Sequence, residues 1–294
     1  MLAPLLAVDA PSLLYRAFFA LPDSIKDGDG KPVNALLGTA NLVLQAVETH
    51  RPRAVVLCFG AEAATYRTDA FAGYHADRPP MPDALGHQWQ QARAFFGAFG
   101  WSHLDAGDLE ADDLLGTLAR LEREAGGSAL LFTGDRDMFQ CVGAQVAVLW
   151  PAGKGSPELI DSAGVRERYG IEPAQVPDFI ALRGDPSDGI PGAKGIGEKG
   201  AAQLLRDHGD LETLIALAGD PAAVTRRLLR AKVAEALRVQ ADALRAFKDM
   251  ATLRALDVPR PPDAPTDFAG AATAARALGM SRLGERLERA ATSA

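Results

Sequence analysis

Ala129-Leu-Leu-Phe-Thr-Gly-Asp-Arg-Asp137 decides how this chain folds. An apolar run followed at once by a glycine and two aspartates reads as a buried strand over 129–133 that ends in acid. A strand apolar on both faces belongs inside a parallel sheet. Leu5-Leu-Ala-Val-Asp9 repeats the pattern, and Ala54–Phe59 and Val146–Trp150 supply two further runs. Between them, 32–47, 88–99 and 109–124 carry apolar residues at helical spacing. In the last of these Leu114, Leu115, Leu118 and Leu121 share a face, Asp108 is the expected cap and Gly126-Gly127 the stop. Strands alternating with helices imply an α/β fold, a parallel twisted sheet flanked by helices. In such sheets functional groups gather beyond the carboxyl ends of the strands.

Past Pro151 the pattern becomes helices with tight Gly/Pro breaks: 173–182, 198–208, one long helix over 226–253, and a short last helix after the Pro-rich connector 259–265. Asp185–Gly192, with two prolines and two glycines, is loop. The expected division is 1–160 and 161–294.

The 294 residues are 48% hydrophobic and 23% charged, which excludes a disordered chain or a fibre. No apolar run approaches the ~18 residues of a membrane span, and no basic segment precedes an apolar one at the N-terminus. Cys58 and Cys141 sit in apolar surroundings and read as reduced core thiols of a cytoplasmic protein. The net charge is −7, yet residues 221–294 hold 13 Lys and Arg against 8 Asp and Glu, leaving −12 for residues 1–220.

Eight carboxylates in four motifs account for that acidity: Asp9; Glu110, Asp112 and Asp113; Asp135 and Asp137; Asp185 and Asp188. Acids favour helix starts and turns, which explains some of them singly. It does not explain acids directly after two apolar strands. Gathered without cations they would repel severely, so the expectation is two hard divalent ions, Mg²⁺ with Mn²⁺ able to substitute. Two such ions clamp the attacking and leaving oxygens of a phosphodiester. Gly192-Ala-Lys-Gly-Ile-Gly-Glu-Lys-Gly200 opens a helix and offers backbone amides, Lys194 and Lys199 to phosphate. Gly195, Gly197 and Gly200 match G-x-G-x-x-G, but loop rather than strand precedes them, which argues against a dinucleotide site. No Gly-Lys-Ser/Thr stands where a Walker A loop needs one.

These motifs, with Tyr15-Arg16, Arg183-Gly-Asp-Pro-Ser-Asp188 and Lys194–Lys199, resemble the 5′-nuclease (flap endonuclease) family over nearly the whole chain, as a free-standing member without a polymerase domain. The resemblance implies a PIN-like core with a helical, SAM-like helix–three-turn–helix module, and hydrolysis of DNA near a 5′ end. It implies Asp9, Glu110 and Asp112 at a first metal, Asp135, Asp137, Asp185 and Asp188 at or around a second, and Asp113 in an outer position. Tyr15, Arg16, Lys194, Gly195, Ile196, Gly197 and Lys199 would hold DNA, and the glycine hairpin would also bind K⁺. Substrates would be flaps, nicks, single-stranded 5′ ends and RNA primers; the protein would act as a monomer, away from membranes.

Two departures stand out. The family has Phe-Asp where this chain has Phe59-Gly60, so one ligand of the first metal is missing; Glu62 reads as a surface glutamate. The family's Tyr-Lys-x-x-Arg is Tyr74-His75-Ala-Asp-Arg78 here, with His75 and Arg78 as the groups facing phosphate. A protonated His75 there would make activity fall above pH ~6.5; a solvated histidine is the plain alternative. The competing readings are a DNA-binding protein with a weakened metal site, in which Gly60→Asp would restore cutting, and a phosphatase or NAD enzyme without salt-sensitive DNA binding. The arginines of 226–232 and Lys232 are a weaker candidate for lining duplex DNA. The other histidines carry no expected role.

Overall fold

The computed structural model describes residues 3–153 and 155–293. From the N-terminus run β1 (Leu5–Asp9), α1 (Ala10–Ala20), α2 (Asn34–His50), β2 (Ala54–Phe59), α3 (Thr65–Ala70), α4 (Asp83–Gly97), β3 (Ser102–Asp105) and α5 (Ala111–Glu124). β4 (Ala129–Phe132) leads into a 3-10 turn, Arg136–Cys141, then β5 (Val146–Trp150) and β6 (Glu158–Ile160). The strands lie in the order β3-β2-β1-β4-β5-β6, parallel except for β6, which pairs antiparallel with β5. β1 therefore marks a switch point: the chain builds outward to β3, then returns to lay β4 on the other side of β1. The crevice beyond the ends of β1 and β4 is where such a topology presents its functional groups.

Side-chain alternation divides the core. Leu6, Val8, Val55, Leu57 and Phe132 face a layer made by α1, α2 and α4, with Phe95, Phe96, Phe99 and Trp101 packed ring against ring. Leu5, Ala7, Val56, Leu131 and Val148 face α5. Both faces are covered, which is why the strands are apolar throughout. Cys58 is buried, Cys141 half-buried, and both are free.

The second layer extends without a break into a helical module: α6 (Ser162–Tyr169), α7 (Val176–Arg183), α8 (Glu198–His208), α9 (Leu211–Gly219), α10 (Pro221–Thr225), α11 (Ala231–Val239) and α12 (Ala241–Ala251). Leu182, Leu205, Leu214, Leu237 and Leu244 belong to the same core as the sheet residues. The long helix expected over 226–253 is two helices. Gln240 breaks it with φ −101 and ψ 10, and its Oε1 accepts from the Lys194 amide at 2.8 Å.

From Thr252 the chain runs extended across the core. The Arg254 amide donates to Asp113 at 2.6 Å and the Leu256 amide to Thr117 at 3.0 Å. α13 (Phe268–Ala277) and α14 (Ser281–Ser293) then cover the face formed by α2 and α4. Glu122, fully buried, clamps this crossing by pairing with Arg53 and with Arg260 at 3.0 Å. Removing one side of a buried pair strands the other charge. Glu122→Ala is expected to lower unfolding free energy by about 3 kcal/mol, read as a reduced urea midpoint at unchanged slope.

Candidate metal centre and nucleic-acid interface

Asp9 does two jobs at the end of β1. Its Oδ1 accepts from the Ser12 amide at 2.9 Å, capping α1, and its Oδ2 accepts from the Thr133 hydroxyl at 2.6 Å. The second bond staples the ends of β1 and β4 together across the switch point. Asp135 follows directly, its amide donating to Thr133 Oγ1 at 2.9 Å and its Oδ1 accepting from the Asp137 amide at 2.8 Å. Asp112 stands on the first turn of α5.

The remaining acids come from the helical module. Between α7 and α8 the Asp185 and Ile190 amides donate to each other's carbonyls, each at 2.8 Å, closing a small hairpin. Asp185 accepts from the Ser187 amide at 2.9 Å and from its hydroxyl. This hairpin is docked on the core. Gly189 lies at φ +76, and a Cβ there would stand 2.3 Å from the Gly73 carbonyl oxygen. Beside it the His75 amide donates to Asp188 O at 3.2 Å.

The shared field records the convergence. Asp135 is pushed up to about 7, by burial first and then by Asp188, Asp9 and Asp185. Burial, with Asp135 and Asp9, holds Asp112 well above the carboxylate range; burial, with Asp135, Asp188 and Asp185, does the same for Asp137. Asp9 is raised by burial against the opposing Thr133 and Ser12 bonds and the Arg78 charge. Asp9, Asp112, Asp135, Asp137, Asp185 and Asp188 thus share one electrostatic field, to which Glu110 adds by raising Asp9 and Asp112.

Their chemistry fits a hard cation. All donors are carboxylate oxygens, and Asp137 Oδ1 is buried with no hydrogen-bond partner. Such an orphaned acceptor in a native fold calls for an ion or water. Among the described residues, no three His, Cys, Asp or Glu side chains are already closed around a point as a metal cage. Mg²⁺ characteristically keeps waters between itself and its carboxylates.

Asp113 and Glu110 have their carboxylates held by other partners. Asp113, fully buried, caps α5 by accepting from the Glu110 amide at 3.2 Å and spends its other oxygen on Arg254. The cap of α5 is Glu110 in a reciprocal box with Asp113, not Asp108. Glu110 Oε1 accepts from the Ala64 amide at 2.8 Å and the Tyr74 hydroxyl at 3.1 Å; Oε2 faces Arg67 at 2.5 Å and Tyr74 at 3.0 Å. Arg67 has only 5% of its side chain exposed. A single arginine between Tyr66 and Thr68 gives no signal.

Gly60 explains this arrangement. A Cβ there would lie 2.6 Å from Leu109 O and 2.7 Å from Ala111 N. The turn before α5 closes on the bare backbone, and the Ala61 amide donates to Leu109 O at 2.9 Å.

His75 is not a solvated histidine. Its side chain is 7% exposed, stacked on Tyr74, with Nδ1 2.9 Å from Glu62 O and Nε2 3.0 Å from Asp188 Oδ1. Both ring nitrogens are engaged, so it bridges core and hairpin. Arg78 is exposed at the rim, 3.3 Å from Glu62 O. Glu62 is the surface glutamate expected, exposed, with its carboxylate accepting from the Tyr15 hydroxyl at 3.3 Å. Arg16 is half-buried one position along α1.

Lys194, Gly195, Gly197 and Lys199 are exposed on one turn, and α8 starts at Gly197 without a side-chain cap. Ile196 is buried in the core and anchors the turn from beneath. Arg226, Arg227, Arg230 and Lys232 are exposed at the opposite end of α11.

Comparison with known proteins agrees with this fold. Residues 4–170 match the N-terminal resolvase-like domain of 5′-3′ exonucleases, and residues 171–268 match their C-terminal SAM fold. A 5′-3′ exonuclease of Streptomyces coelicolor is 38% identical over 244 residues, covering 78% of this chain and 80% of that protein. Thermostable DNA polymerase I of Thermus thermophilus is 40% identical over 210 residues, 71% of this chain but only 25% of the polymerase. Among solved structures, a bacteriophage T5 flap endonuclease in a pseudo-enzyme–product complex with DNA and metal ions superposes with a TM-score of 0.70 at 15% identity, over 98% of this chain and 99% of that one. The α/β core with its mostly parallel sheet and the helical SAM-like module are both as expected, and among the described residues no helix is long and apolar enough to cross a membrane. Matched in order along both its parts, the chain belongs to the 5′-3′ exonuclease family.

Proposed function

We propose that this chain is a divalent-metal-dependent 5′ nuclease that hydrolyses DNA phosphodiesters near 5′ ends at flaps, nicks and primers, acting as a cytoplasmic monomer. What supports this reading is the field shared by the aspartates that follow β1 and β4, stand on α5 and come from the module hairpin, with Asp137 Oδ1 buried and unpartnered among them. Asp9, Asp112, Asp135, Asp137, Asp185 and Asp188 would hold two Mg²⁺ ions, with Mn²⁺ able to replace them. When bound, such ions supply charge stabilisation at the phosphodiester and a water ionised near neutral pH.

The chain's own residues do the rest. Arg78, at the rim near Asp9 and Tyr15, draws the scissile phosphate toward the acids and offsets their repulsion of the substrate. Tyr15 and Arg16 on α1 line the approach. The turn at Lys194–Lys199, with the positive end of α8, grips the duplex backbone; its carbonyls suit K⁺. Residues 1–160 carry most of the acids, and 161–294 carry the duplex grip and lend Asp185 and Asp188.

A 5′-labelled flap incubated with the protein should be cut in Mg²⁺ or Mn²⁺ and left whole in EDTA. Binding without cleavage in either metal would favour the alternative, a DNA-binding protein with a weakened centre, for which the closed turn at Gly60 speaks. Lys194→Ala with Lys199→Ala should weaken flap binding whatever its sequence and flatten the slope of log K against log[salt] by about 2.

A further inference from the structure

Glu110 adds to the field of these acids, yet its carboxylate is fully occupied. Arg67 contributes an ion pair at 2.5 Å, Tyr74 donates at 3.0–3.1 Å, and the Ala64 amide donates at 2.8 Å. All three partners lie on one excursion of chain between β2 and α4, and Arg67 and Tyr74 are themselves buried. Arg67 Nη1 also donates to the Tyr74 hydroxyl at 3.1 Å, closing a triangle. An acid so surrounded has its charge compensated by a guanidinium, and turning it toward a cation would leave Arg67 buried without its partner. Asp137, by contrast, keeps a bare buried oxygen.

The clamp leads on to the rim of the site. Tyr74 stacks on His75 with ring centroids 4.0 Å apart, His75 fixes Asp188, and the Arg78 amide donates to His75 O at 3.0 Å. The segment that carries Arg78 is therefore moored to α5 through Glu110. Gly60 is the condition for this, because any side chain there would push Leu109–Ala111 and Glu110 with it out of place.

We infer that Glu110 is not a cation ligand in this chain but a positioning residue, which moors the Arg67–Tyr74–His75–Arg78 segment so that Arg78 meets the substrate phosphate. The inference rests on the metal-dependent nuclease reading and reassigns one acid within it.

Titrating Mn²⁺ into the full chain, with free Mn²⁺ followed by its paramagnetic resonance signal, tests it. Glu110→Gln should bind Mn²⁺ within about threefold of the unchanged protein, whereas Asp135→Asn should lose tenfold or more. In flap cleavage Glu110→Gln should raise KM about tenfold while kcat moves less than threefold. Equal loss of Mn²⁺ affinity in the two variants overturns the inference and leaves the nuclease reading intact. No Mn²⁺ binding by the unchanged chain ends both. Should Glu110→Gln fail to fold, a Mn²⁺-soaked crystal of the unchanged chain decides: Glu110 still on Arg67 and Tyr74 supports the mooring role, and an anomalous peak at ligand distance from Glu110 refutes it.

Discussion

Asp135→Asn is expected to reduce flap cleavage at least a thousandfold in kcat/KM, about 4 kcal/mol of lost transition-state stabilisation, while making the metal-free protein more stable. Both effects come from one position. Asp135 lies in the field of Asp188, Asp9 and Asp185, at the meeting point of strand ends and module hairpin. Replacing its charge with an amide keeps the shape and the Asp137 N–H acceptor, but removes a donor where cations would be gripped. Without cations the same charge only repels its neighbours, so its loss should raise the melting temperature in EDTA by ~2–5 °C.

The pH dependence separates this from a general effect on folding. Asp135 rises from an ordinary 3.8 to about 7 in the fold. Between those values the folded chain holds more protons than the unfolded one, so stability falls as pH rises through this window and levels off above it. In EDTA the unchanged protein should melt lower at pH 8 than at pH 5.5, and Asp135→Asn should flatten that decline. Divalent ions require the ionised form. Mn²⁺ should therefore raise the melting temperature more at pH 8 than at pH 6, and far less in the variant. A variant that keeps a tenth of the activity, or that melts together with the unchanged protein at every pH of this range in EDTA, would refute the central place given to Asp135.

What could be read from the sequence follows the range of the interactions. Leu5–Asp9 and Ala129–Asp137 announce themselves because apolar run and acid are adjacent, and the parallel sheet turns adjacency in sequence into convergence in space. β3 gives no such signal: Ser-His-Leu-Asp has no apolar alternation, and its place is set by pairing with Val56–Phe59 of β2. β6 is three residues on an edge, too short and too exposed to register. The break at Gln240 lacks glycine and proline, and it exists because the side chain serves the Lys194 amide 46 positions away. Glu110 illustrates the limit within the site. Its motif, Glu-Ala-Asp-Asp, says "acid at a helix start", but its partners Arg67 and Tyr74 are 43 and 36 residues distant. For Ile196 and His75 likewise, burial and long-range partners rather than neighbours in sequence fix where the side chains go.

Gly60→Asp, the exchange that would restore the family's Phe-Asp pair, is expected to destabilise the protein and bring no gain in cutting. The atoms a new Cβ would meet are backbone: Leu109 O at 2.6 Å, Ala111 N and Glu110 C at 2.7 Å. That turn has little freedom to retreat. Ala61 holds Leu109 O, the Glu110–Asp113 box fixes the first turn of α5, and Arg67 with Tyr74 holds the Glu110 side chain. Forcing atoms into a packed site costs roughly 1–3 kcal/mol where side chains can yield, and here none stands in the way to yield. The added carboxylate would also join acids already held up in pKa by their neighbours. Urea unfolding should show a loss of about 3 kcal/mol, with flap cleavage no faster than in the unchanged protein. Gly60→Ala separates the causes: it should reproduce most of the stability loss, since the clash begins at Cβ and needs no charge. If Gly60→Asp instead cuts tenfold faster at an unchanged midpoint, the Leu109–Ala111 turn moves freely. Glu110 would then be available to a cation, and both the closed turn and the mooring role built on it would fall together.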